Sequence, residues 1–500
     1  MNIYYDLVIN AKDKPNKVCI YYNNEKITFL EIYKMANALG SSLRYAGIKK
    51  GNHISIALHN SPEFIISYMG ILGIGAVAVP VNPNLTAREL EYIMTDSDSR
   101  GLIIEEKNIN TYNKIKDKIH LTIVLTTGEG GSFKNFILNT NKSSYTDVDL
   151  DDTAVLLYSS GLAGYPMGCM ITHKNLLHNS DVMKYCFNCD HNDTTLSVIP
   201  IFHGFGTCTN ILSMLRYGGS IYLMRRLSFD DLFHILDAKL ITVICSVPSF
   251  YYGLLNHPKM KEINFDTVHT IVSGGSKLPG EIYDEFKKRY NKDIRQGYGL
   301  TEASPICTVN NKHIPIKPLS IGKTVHEVEA RVVDDNGKDL LPGEDGELIF
   351  KGPNIMKGYY KNEIETAKII KNSWLYTGDL GYKDEDGYLY ITGFKKDMVI
   401  TSGFNVYCKE VENVIKSMPG ISDVAITGVP DIVRGSIVKA YVVRNDNNID
   451  EEVIKRYSKE YLTSYKIPRK IVFVDNIPRD RNAKPLFNEI ENNLMIKYPC

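Results

Sequence analysis

Residues 153–168 read Thr-Ala-Val-Leu-Leu-Tyr-Ser-Ser-Gly-Leu-Ala-Gly-Tyr-Pro-Met-Gly, an apolar run that enters a glycine-rich loop. The run has the length of a buried strand, and a helix start follows at residues 171–175. Glycines directly after a strand expose backbone N–H groups that can hold phosphate oxygens. No Gly-Lys-Ser/Thr ends the loop, so it is not a Walker loop. Taken alone, it predicts either a phosphate cradle or a turn at a sheet edge.

The residues before this loop alternate between helical and strand patterns. Residues 29–46 and 89–95 have helical periodicity, and Thr28 with Glu31 makes a capping-box pattern at the first helix. The strands predicted beside these helices are residues 53–58, 101–104 and 119–125. Because alternation resumes after the loop and continues to about residue 315, we predict an α/β fold with mainly parallel, doubly wound sheets.

One uncharged run, residues 64–81, just reaches the length of a membrane span. It contains Gly70, Gly73, Gly75 and Pro80, and glycines weaken a helix. We therefore predict a buried helix, a glycine turn and a core strand rather than a transmembrane helix.

The pattern of predicted secondary structure changes after residue 321. Short strands and turn signals dominate residues 321–391, with Asp-Asn-Gly at 335–337 and Asp-Gly at 386–387. A new α/β block begins after Thr392. These changes predict a β-rich part that is followed by a domain boundary near residues 393–396.

Composition limits the function classes. The chain has 500 residues, with 58 Lys and Arg against 58 Asp and Glu, so its formal net charge is zero. Nucleic acid normally requires a basic excess, so it is not a predicted partner. Nine cysteines are too few for a disulfide scaffold, and the start lacks a leader pattern, so we expect a cytoplasmic protein. The Cys186-x-x-Cys189 pair has no matching second pair, so no structural zinc is predicted.

Four further motifs have informative order and spacing. They are Pro-Ile-Phe-His-Gly-Phe-Gly at 200–206, Gln-Gly-Tyr-Gly-Leu-Thr-Glu at 296–302, Tyr-Thr-Gly-Asp at 376–379, and Pro478-Arg479 six residues before Lys484. Together with the glycine loop they resemble the adenylate-forming superfamily of acyl- and aryl-CoA synthetases, from Thr28 to Lys484. The resemblance implies a large N-terminal domain, residues 1–393, with two doubly wound sub-domains and a β-barrel-like part. It also implies a small, mobile α+β C-terminal domain, residues 394–500.

The resemblance also implies a two-step reaction. A carboxylate attacks the α-phosphate of ATP to give an acyl adenylate, and the thiol of coenzyme A, or alternatively of an acyl carrier protein, then displaces AMP. Lys484 would bridge the carboxylate and the phosphate, Thr301 would contact the α-phosphate, and Glu302 would hold Mg²⁺. His203 would gate the carboxylate pocket. Because His203 follows Phe202 where amino-acid-activating relatives place an Asp, a fatty or aromatic acid without an α-amino group is expected.

The remaining implied residues form four groups. Tyr298 would lie against adenine, and Asp379 would bind the ribose hydroxyls. The implied nucleotide site consists of Ser159, Ser160, Gly161, Gly164, Gly274, Gly275, Gln296, Gly297, Tyr298, Gly299 and Asp379. The implied acyl pocket consists of His203, Phe205, Gly206, Gly275 and Gly297. The implied coenzyme A tunnel consists of Ser402, Gly403 and Phe404, with the hinge at Lys396.

The chain departs from the superfamily pattern at four positions. Leu162 and Ala163 replace threonines, Met167 replaces a lysine, and Phe394 replaces an arginine. Hydrogen bonds to charged groups contribute about 1.5–3 kcal/mol each, so this loss should weaken phosphate binding. Three hypotheses follow: a complete ATP-dependent ligase with an atypical phosphate loop, a ligase specialised in the thioester step, or a non-catalytic acyl-adenylate-binding protein.

Overall fold

The computed structural model describes residues 2–137, 145–159, 166–259, 263–395, 398–446, 448–479 and 485–497. Within these ranges the strands are β1 Val18–Tyr22, β2 Glu25–Thr28, β3 His53–Ala57, β4 Val77–Pro80, β5 Ser99–Glu105, β6 Ile123–Thr127, β7 Thr153–Ser159, β8 Met167–Thr172, β9 Thr194–Ser197, β10 Ser220–Leu223, β11 Val243–Ser246, β12 Thr270–Ser273, β13 Arg295–Gly299, β14 Ile306–Val309, β15 Lys323–Thr324, β16 Glu329–Val333, β17 Gly346–Lys351, β18 Ile370–Lys371, β19 Trp374–Lys383, β20 Leu389–Phe394, β21 Met398–Thr401, β22 Phe404–Tyr407, β23 Ile421–Asp431, β24 Gly435–Arg444 and β25 Lys470–Phe473.

The helices lie between these strands. They are α1 Ile3–Asp13, α2 Phe29–Tyr45, α3 Pro62–Gly73, α4 Ala87–Asp96, α5 Ile109–Asn113, α6 Ser132–Phe136, α7 His173–Phe187, α8 Gly204–Gly206, α9 Ser213–Tyr217, α10 Phe229–Asp237, α11 Pro248–Asn256, α12 Gly280–Tyr290, α13 Glu363–Ile369, α14 Cys408–Lys416, α15 Glu451–Tyr461 and α16 Phe487–Lys497. A π-helical segment, Thr207–Leu212, joins α8 to α9. Short 3₁₀ turns lie at Glu106–Asn108 and Thr301–Ala303.

Two α/β sheets form the larger part of the chain. The first has the order β6-β5-β3-β4-β7-β8 and is parallel except for β8. The second has the order β15-β14-β13-β12-β11-β9-β10-β1-β2, with parallel pairing from β13 to β1. Asn60, after β3, joins the two: its amide N donates to the carbonyls of Ile199 and Met224, and its amide O accepts from the N–H of Ile201.

Two smaller sheets complete the fold. Strands β16 to β20 form an antiparallel sheet, which is the β-rich part predicted from the turn signals. Strands β21 to β25 form a separate sheet with its own core, packed against α14 and α15. The predicted α/β class, with a large N-terminal part and a small C-terminal domain, is confirmed.

Most local predictions agree with the structure. The Thr28 and Glu31 capping box is formed at the start of α2. Residues 64–81 are a buried helix, a turn at Gly75 and strand β4. Gly70, however, does not interrupt α3: a Cβ there would lie 2.8 Å from the carbonyl O of Ala36, so the glycine lets α2 approach closely. Among the described helices, none is both long and apolar enough to span a bilayer.

Two strand boundaries differ from the prediction. The strand expected at residues 119–125 is β6, Ile123–Thr127, because Ile119 is buried from a loop and so imitates a strand residue. Residues 167 and 168, expected in the glycine loop, begin β8 and pair antiparallel with the end of β7. Strands β7 and β8 are therefore antiparallel partners, and residues 160–165 between them lie outside the described ranges.

Candidate active site

A single large cavity collects most of the described candidate residues. Its empty volume is about 1450 Å³ when the solvent at its open mouth is counted, and it lies where helix α7, the second α/β sheet, the antiparallel sheet and the C-terminal domain meet. The predicted residues that line it are His203, Phe205, Gly274, Gly275, Gln296, Gly297, Tyr298, Gly299, Thr301, Glu302, Asp379 and Gly403. Sequence motifs that are up to 200 residues apart are thus brought to one place.

Glu302 lies in the 3₁₀ turn that follows β13. Only glycine fits at position 299, since a Cβ there would lie 1.7 Å from the carbonyl O of Pro305, and this close approach folds the turn over the cavity. The Glu302 side chain is buried, and its Oε1 accepts a hydrogen bond of 2.8 Å from the Tyr359 hydroxyl. Burial and the nearby Glu302 charge raise the pKa of Tyr359, so this hydroxyl remains a donor. The carboxylate is therefore held in place with one oxygen engaged.

Asp379 lies on β19 and faces Tyr298 of β13. The Tyr298 hydroxyl donates to Asp379 Oδ2 at 2.5 Å, and the Asp379 N–H donates to the hydroxyl of Thr377. Burial and the Asp379 charge raise the pKa of Tyr298. The two residues expected to contact ribose and adenine are therefore coupled, and Tyr298 fixes the position of the carboxylate.

His203 and Phe205 enter the cavity from the start of α8. His203 Nδ1 accepts a hydrogen bond from the Phe205 N–H at 3.3 Å, and burial lowers the pKa of His203, so its imidazole is neutral near pH 7. Gly274 packs against Phe205, because a Cβ there would lie 3.1 Å from the ring. Gly206, an expected pocket residue, packs instead on the carbonyl O of Pro200 and is not part of the cavity wall.

The C-terminal domain closes the cavity with the turn between β21 and β22. Gly403 has φ +82°, and a Cβ there would lie 3.0 Å from Val247 Cγ1. A Cβ at Gly275 would lie 3.6 Å from the Cα of Gly403, so two glycines face each other across the domain interface. The rings of Phe404 and His203 are nearly perpendicular, with centroids 6.5 Å apart. Of the three expected tunnel residues, Gly403 lines the cavity, whereas Phe404 and Ser402, whose N–H donates to the carbonyl O of Arg434, are not in the described cavity wall.

Sequence reasoning missed the apolar wall of the cavity. Met183 and Phe187 are spaced four residues apart on α7, the spacing of one helix face, and this was the available signal. The other missed apolar or small wall residues include Val182, Thr209, Val272, Pro305, Ile306, Thr308, Val309, Leu319, Ile321 and Ile391, with Met398, Ile400 and Tyr407 from the C-terminal domain.

A second omission is Lys277. Of the described residues that line the cavity, it alone is a lysine or arginine, and it is exposed at the mouth beside Ser276. The departures from the superfamily pattern have different environments. Met167 is buried, with 6% of its surface exposed, whereas Phe394 lines the cavity.

Several predicted residues lie outside the described ranges. They are Ser160, Gly161, Leu162, Ala163, Gly164, Lys396 and Lys484. Ser159 ends β7 with a half-buried side chain and is not in the described cavity wall. The Cys186 and Cys189 thiols are both buried, and burial raises the pKa of Cys186 to about 12 and that of Cys189 higher still.

Comparison with known proteins places this architecture in a family. The family described as AMP-binding enzyme matches residues 7–360, and the one described as AMP-binding enzyme C-terminal domain matches residues 410–484. This chain belongs to the AMP-binding enzyme family. The resemblance to adenylate-forming ligases is thereby confirmed.

Individual relatives agree with the family. A long-chain-fatty-acid–CoA ligase of Escherichia coli O6:H1 is 31% identical over 505 residues, covering 94% of this chain and 90% of that protein. An o-succinylbenzoate CoA synthetase double mutant from Bacillus subtilis, bound to a product analogue, superposes with a TM-score of 0.87 at 26% identity, covering 98% of both chains. ATP-bound MatB from Rhodopseudomonas palustris superposes with a TM-score of only 0.74, although it is 30% identical and covers 100% of this chain and 99% of its own. This chain therefore superposes better on the o-succinylbenzoate CoA synthetase than on MatB.

Proposed function

We propose that this member of the AMP-binding enzyme family is an ATP-dependent acid–thiol ligase. It activates a fatty or aromatic carboxylic acid without an α-amino group as the acyl adenylate and transfers the acyl group to coenzyme A. One observation carries the proposal: Thr301, Glu302, Asp379 and the Gly403 turn border one cavity that also has an apolar wall. A nucleotide, an acyl group and a thiol arm therefore have adjoining places.

The apolar wall supports the proposed acid. Met183 and Phe187 of α7, with Val272 and Ile306, offer hydrocarbon surface. Among the described wall residues, Lys277 is the single lysine or arginine, and it lies at the mouth. A substrate ammonium would need a carboxylate partner there, since an unpaired charge is costly to bury. The carboxylates of the described wall are Glu302, which Tyr359 holds, and Asp379, which Tyr298 holds. An uncharged acyl or aryl group fits this lining better.

The adenylation step needs charge stabilisation around the phosphates. Glu302 suits Mg²⁺, a cation that prefers carboxylate and phosphate oxygens, and its buried, oriented carboxylate fits this use. When bound, the ion would neutralise phosphate charge. Thr301 would donate its hydroxyl to the α-phosphate, Asp379 would accept from the ribose hydroxyls, and Lys484 would bridge phosphate and carboxylate. We further propose that Lys277 supplies part of the positive charge that Met167 and Phe394 no longer provide.

The thioester step uses the C-terminal domain, which we propose to span residues 394–500 with a hinge at Lys396. Gly275 and Gly403 meet beside Val247 without side chains, and a thin pantetheine arm would enter between the two domains there. The neutral His203 would lie beside the acyl carbonyl. A hinge movement would exchange the Gly403 turn for Lys484 between the two half-reactions.

The docked Gly403 turn favours a second candidate, a ligase that mainly performs the thioester step on a ready-made acyl adenylate. ATP–pyrophosphate exchange over a panel of fatty and aromatic acids separates the two, with Lys484→Ala as the matched variant. Exchange with at least one acid, abolished by Lys484→Ala, supports the complete ligase. Thioester formation from synthetic acyl-AMP and coenzyme A without exchange supports the second candidate. The absence of both activities would leave a binding protein.

A further inference from the structure

A buried ion cluster joins the C-terminal domain to the first α/β sheet. Lys466, which follows α15, has only 3% of its surface exposed. Its Nζ lies 2.8 Å from Glu89 Oε1, on α4 of the N-terminal part, and 2.7 Å from Glu410 Oε1, on α14 of its own domain. Thr463 completes the contact, because its hydroxyl donates to Glu89 Oε2 at 2.7 Å and its N–H donates to Oε1 at 3.3 Å.

The two glutamates of this cluster differ in the direction of their pKa shifts. Burial alone would raise the pKa of Glu89, but the Lys466 charge and the hydrogen bonds from Lys466, Thr86 and Thr463 lower it, so Glu89 is an anion. Burial raises the pKa of Glu410, and Lys466 offsets this only in part. Glu89 is therefore the better-stabilised partner of the ammonium group. Charges buried this deeply are tolerated only while they are paired, so loss of either charge would weaken the contact between the domains.

The cluster is linked directly to the cavity. Tyr465, the residue before Lys466, stacks on Phe404 with ring centroids 4.6 Å apart and planes 20° apart. Phe404 follows Gly403, the residue that packs against Val247 at the cavity. Beside the cluster, the Arg88 guanidinium lies 5.4 Å from the Tyr461 ring centroid and adds a second contact between α4 and α15.

We propose that Lys466 is a positioning residue for the thioester step: through its ion pair with Glu89 it holds the C-terminal domain where the Gly403 turn lines the cavity. The inference rests on the proposed function for its catalytic consequence. Glu410 moves with Lys466, so their pair can persist in any domain arrangement. The Glu89 pair crosses the domain boundary, so a hinge movement would separate its partners. Loss of the Glu89 pair therefore disfavours one arrangement rather than the whole fold.

The chain offers matched variants for a test. Glu89→Gln removes the charge but retains an acceptor for the Thr86 capping box, in which glutamine is an accepted partner. Lys466→Met removes the cation while retaining side-chain length, and Lys466→Arg restores it. Glu410→Gln is the control, since it changes the same lysine's partner without crossing the domain boundary.

Two readouts are compared. Rates of acyl-AMP formation and of thioester formation from synthetic acyl-AMP and coenzyme A are measured separately. Interdomain distances are measured by double electron–electron resonance between spin labels on cysteines introduced at Tyr45 and Ile432, which are 90% and 72% exposed. The eight described native cysteines are buried, and Cys500 is replaced by serine in the labelled protein.

We expect Glu89→Gln and Lys466→Met to lower the thioester rate at least tenfold and to broaden the distance distribution. Acyl-AMP formation should stay within twofold of wild type. Lys466→Arg should recover most of the thioester rate, and Glu410→Gln should remain close to wild type. An unchanged distance distribution in Glu89→Gln and Lys466→Met overturns the proposal. Equal loss of both half-reactions together with a lowered Tm also overturns it, since that result is a folding defect.

The distance measurement does not depend on catalysis. If the wild type shows neither half-reaction but the two variants still broaden the distribution, the proposed function fails while the positioning contact stands. If the wild type is active and the distribution does not respond, the contact fails while the function stands.

Discussion

Replacement of Gly403 by alanine tests the tunnel most directly. Gly403 has φ +82°, and a left-handed backbone costs a residue with a Cβ about 1–2 kcal/mol. The new Cβ would also lie 3.0 Å from Val247 Cγ1, closer than a normal carbon–carbon contact. Gly387→Ala is the matched control, because φ there is +83° and no atom lies within 4 Å of the new Cβ. The backbone cost is shared, and only the contact at the cavity differs.

The expected result follows from this difference. Gly387→Ala should lose about 1–2 kcal/mol of unfolding free energy, measured by urea denaturation, and Gly403→Ala should lose more, because its contact with Val247 adds to the same backbone cost. Overpacking typically costs about 1–3 kcal/mol, so the thioester rate of Gly403→Ala should fall about 5- to 150-fold, since 1.4 kcal/mol corresponds to a factor of ten. Acyl-AMP formation should be unchanged in both variants.

A compensating change completes the test. Val247→Ala removes the Cγ1 that the new Cβ at position 403 would meet, so the double variant should recover most of the thioester rate. In the described structure, the atoms within 4 Å of that Cβ both belong to Val247. A thioester rate for Gly403→Ala equal to that of Gly387→Ala would falsify the assignment of this turn to the tunnel.

Three further outcomes are expected. Lys277→Met should raise the KM for ATP or for coenzyme A about tenfold, and the substrate affected identifies which phosphates Lys277 contacts. The control Lys288→Met, at another exposed lysine, should change neither KM. An unchanged KM for both substrates in Lys277→Met contradicts the proposed role. Met183→Ala should lower the Tm, since such truncations cost about 2–5 kcal/mol. It should also raise the ratio of kcat/KM for longer acids to kcat/KM for shorter acids at least fivefold, because Met183 lines the cavity. A constant ratio would remove Met183 from the acyl pocket. Burial alone would raise the pKa of Glu105, but His59 and Lys107 lower it from 4.5 to about 2. The contribution of the Glu105 carboxylate to folding stability is therefore present above pH 4.5 and is lost as the pH falls toward 2. The stability difference between wild type and Glu105→Gln in urea titrations should therefore shrink over that range, and a difference independent of pH would contradict it.

The element pattern of this chain could be predicted because it depends on local chemistry. Thr28 and Glu31 satisfy each other across one turn, so the start of α2 is readable from four residues. The alternation of apolar helices and strands likewise predicts parallel sheets. The start of β8 was harder to place, since Met167 and Gly168 become a strand only through pairing with Tyr158 and Ser159 of β7.

Other features depended on long-range packing. From the sequence, Met167 is the replacement of a lysine in the phosphate loop. The structure buries Met167 beside Asn362, so a lysine there would carry a desolvation cost, and the exposed Lys277 is the better candidate for the charge. Gly206 likewise depended on packing that the sequence does not record. It belongs to a pocket motif, but its close neighbour is the backbone of Pro200.

The sequence by itself determined the family, the order of the domains and the motifs that carry adenylate chemistry, because these depend on residue type and spacing along the chain. Only the tertiary structure decided which side chains share the cavity, and it coupled Tyr298 to Asp379 and Tyr359 to Glu302. It alone also paired Glu89 with Lys466 across 377 positions of the chain. Such pairings follow from burial, where a charge is tolerated only beside its partner, and no local pattern records which partner folding will supply.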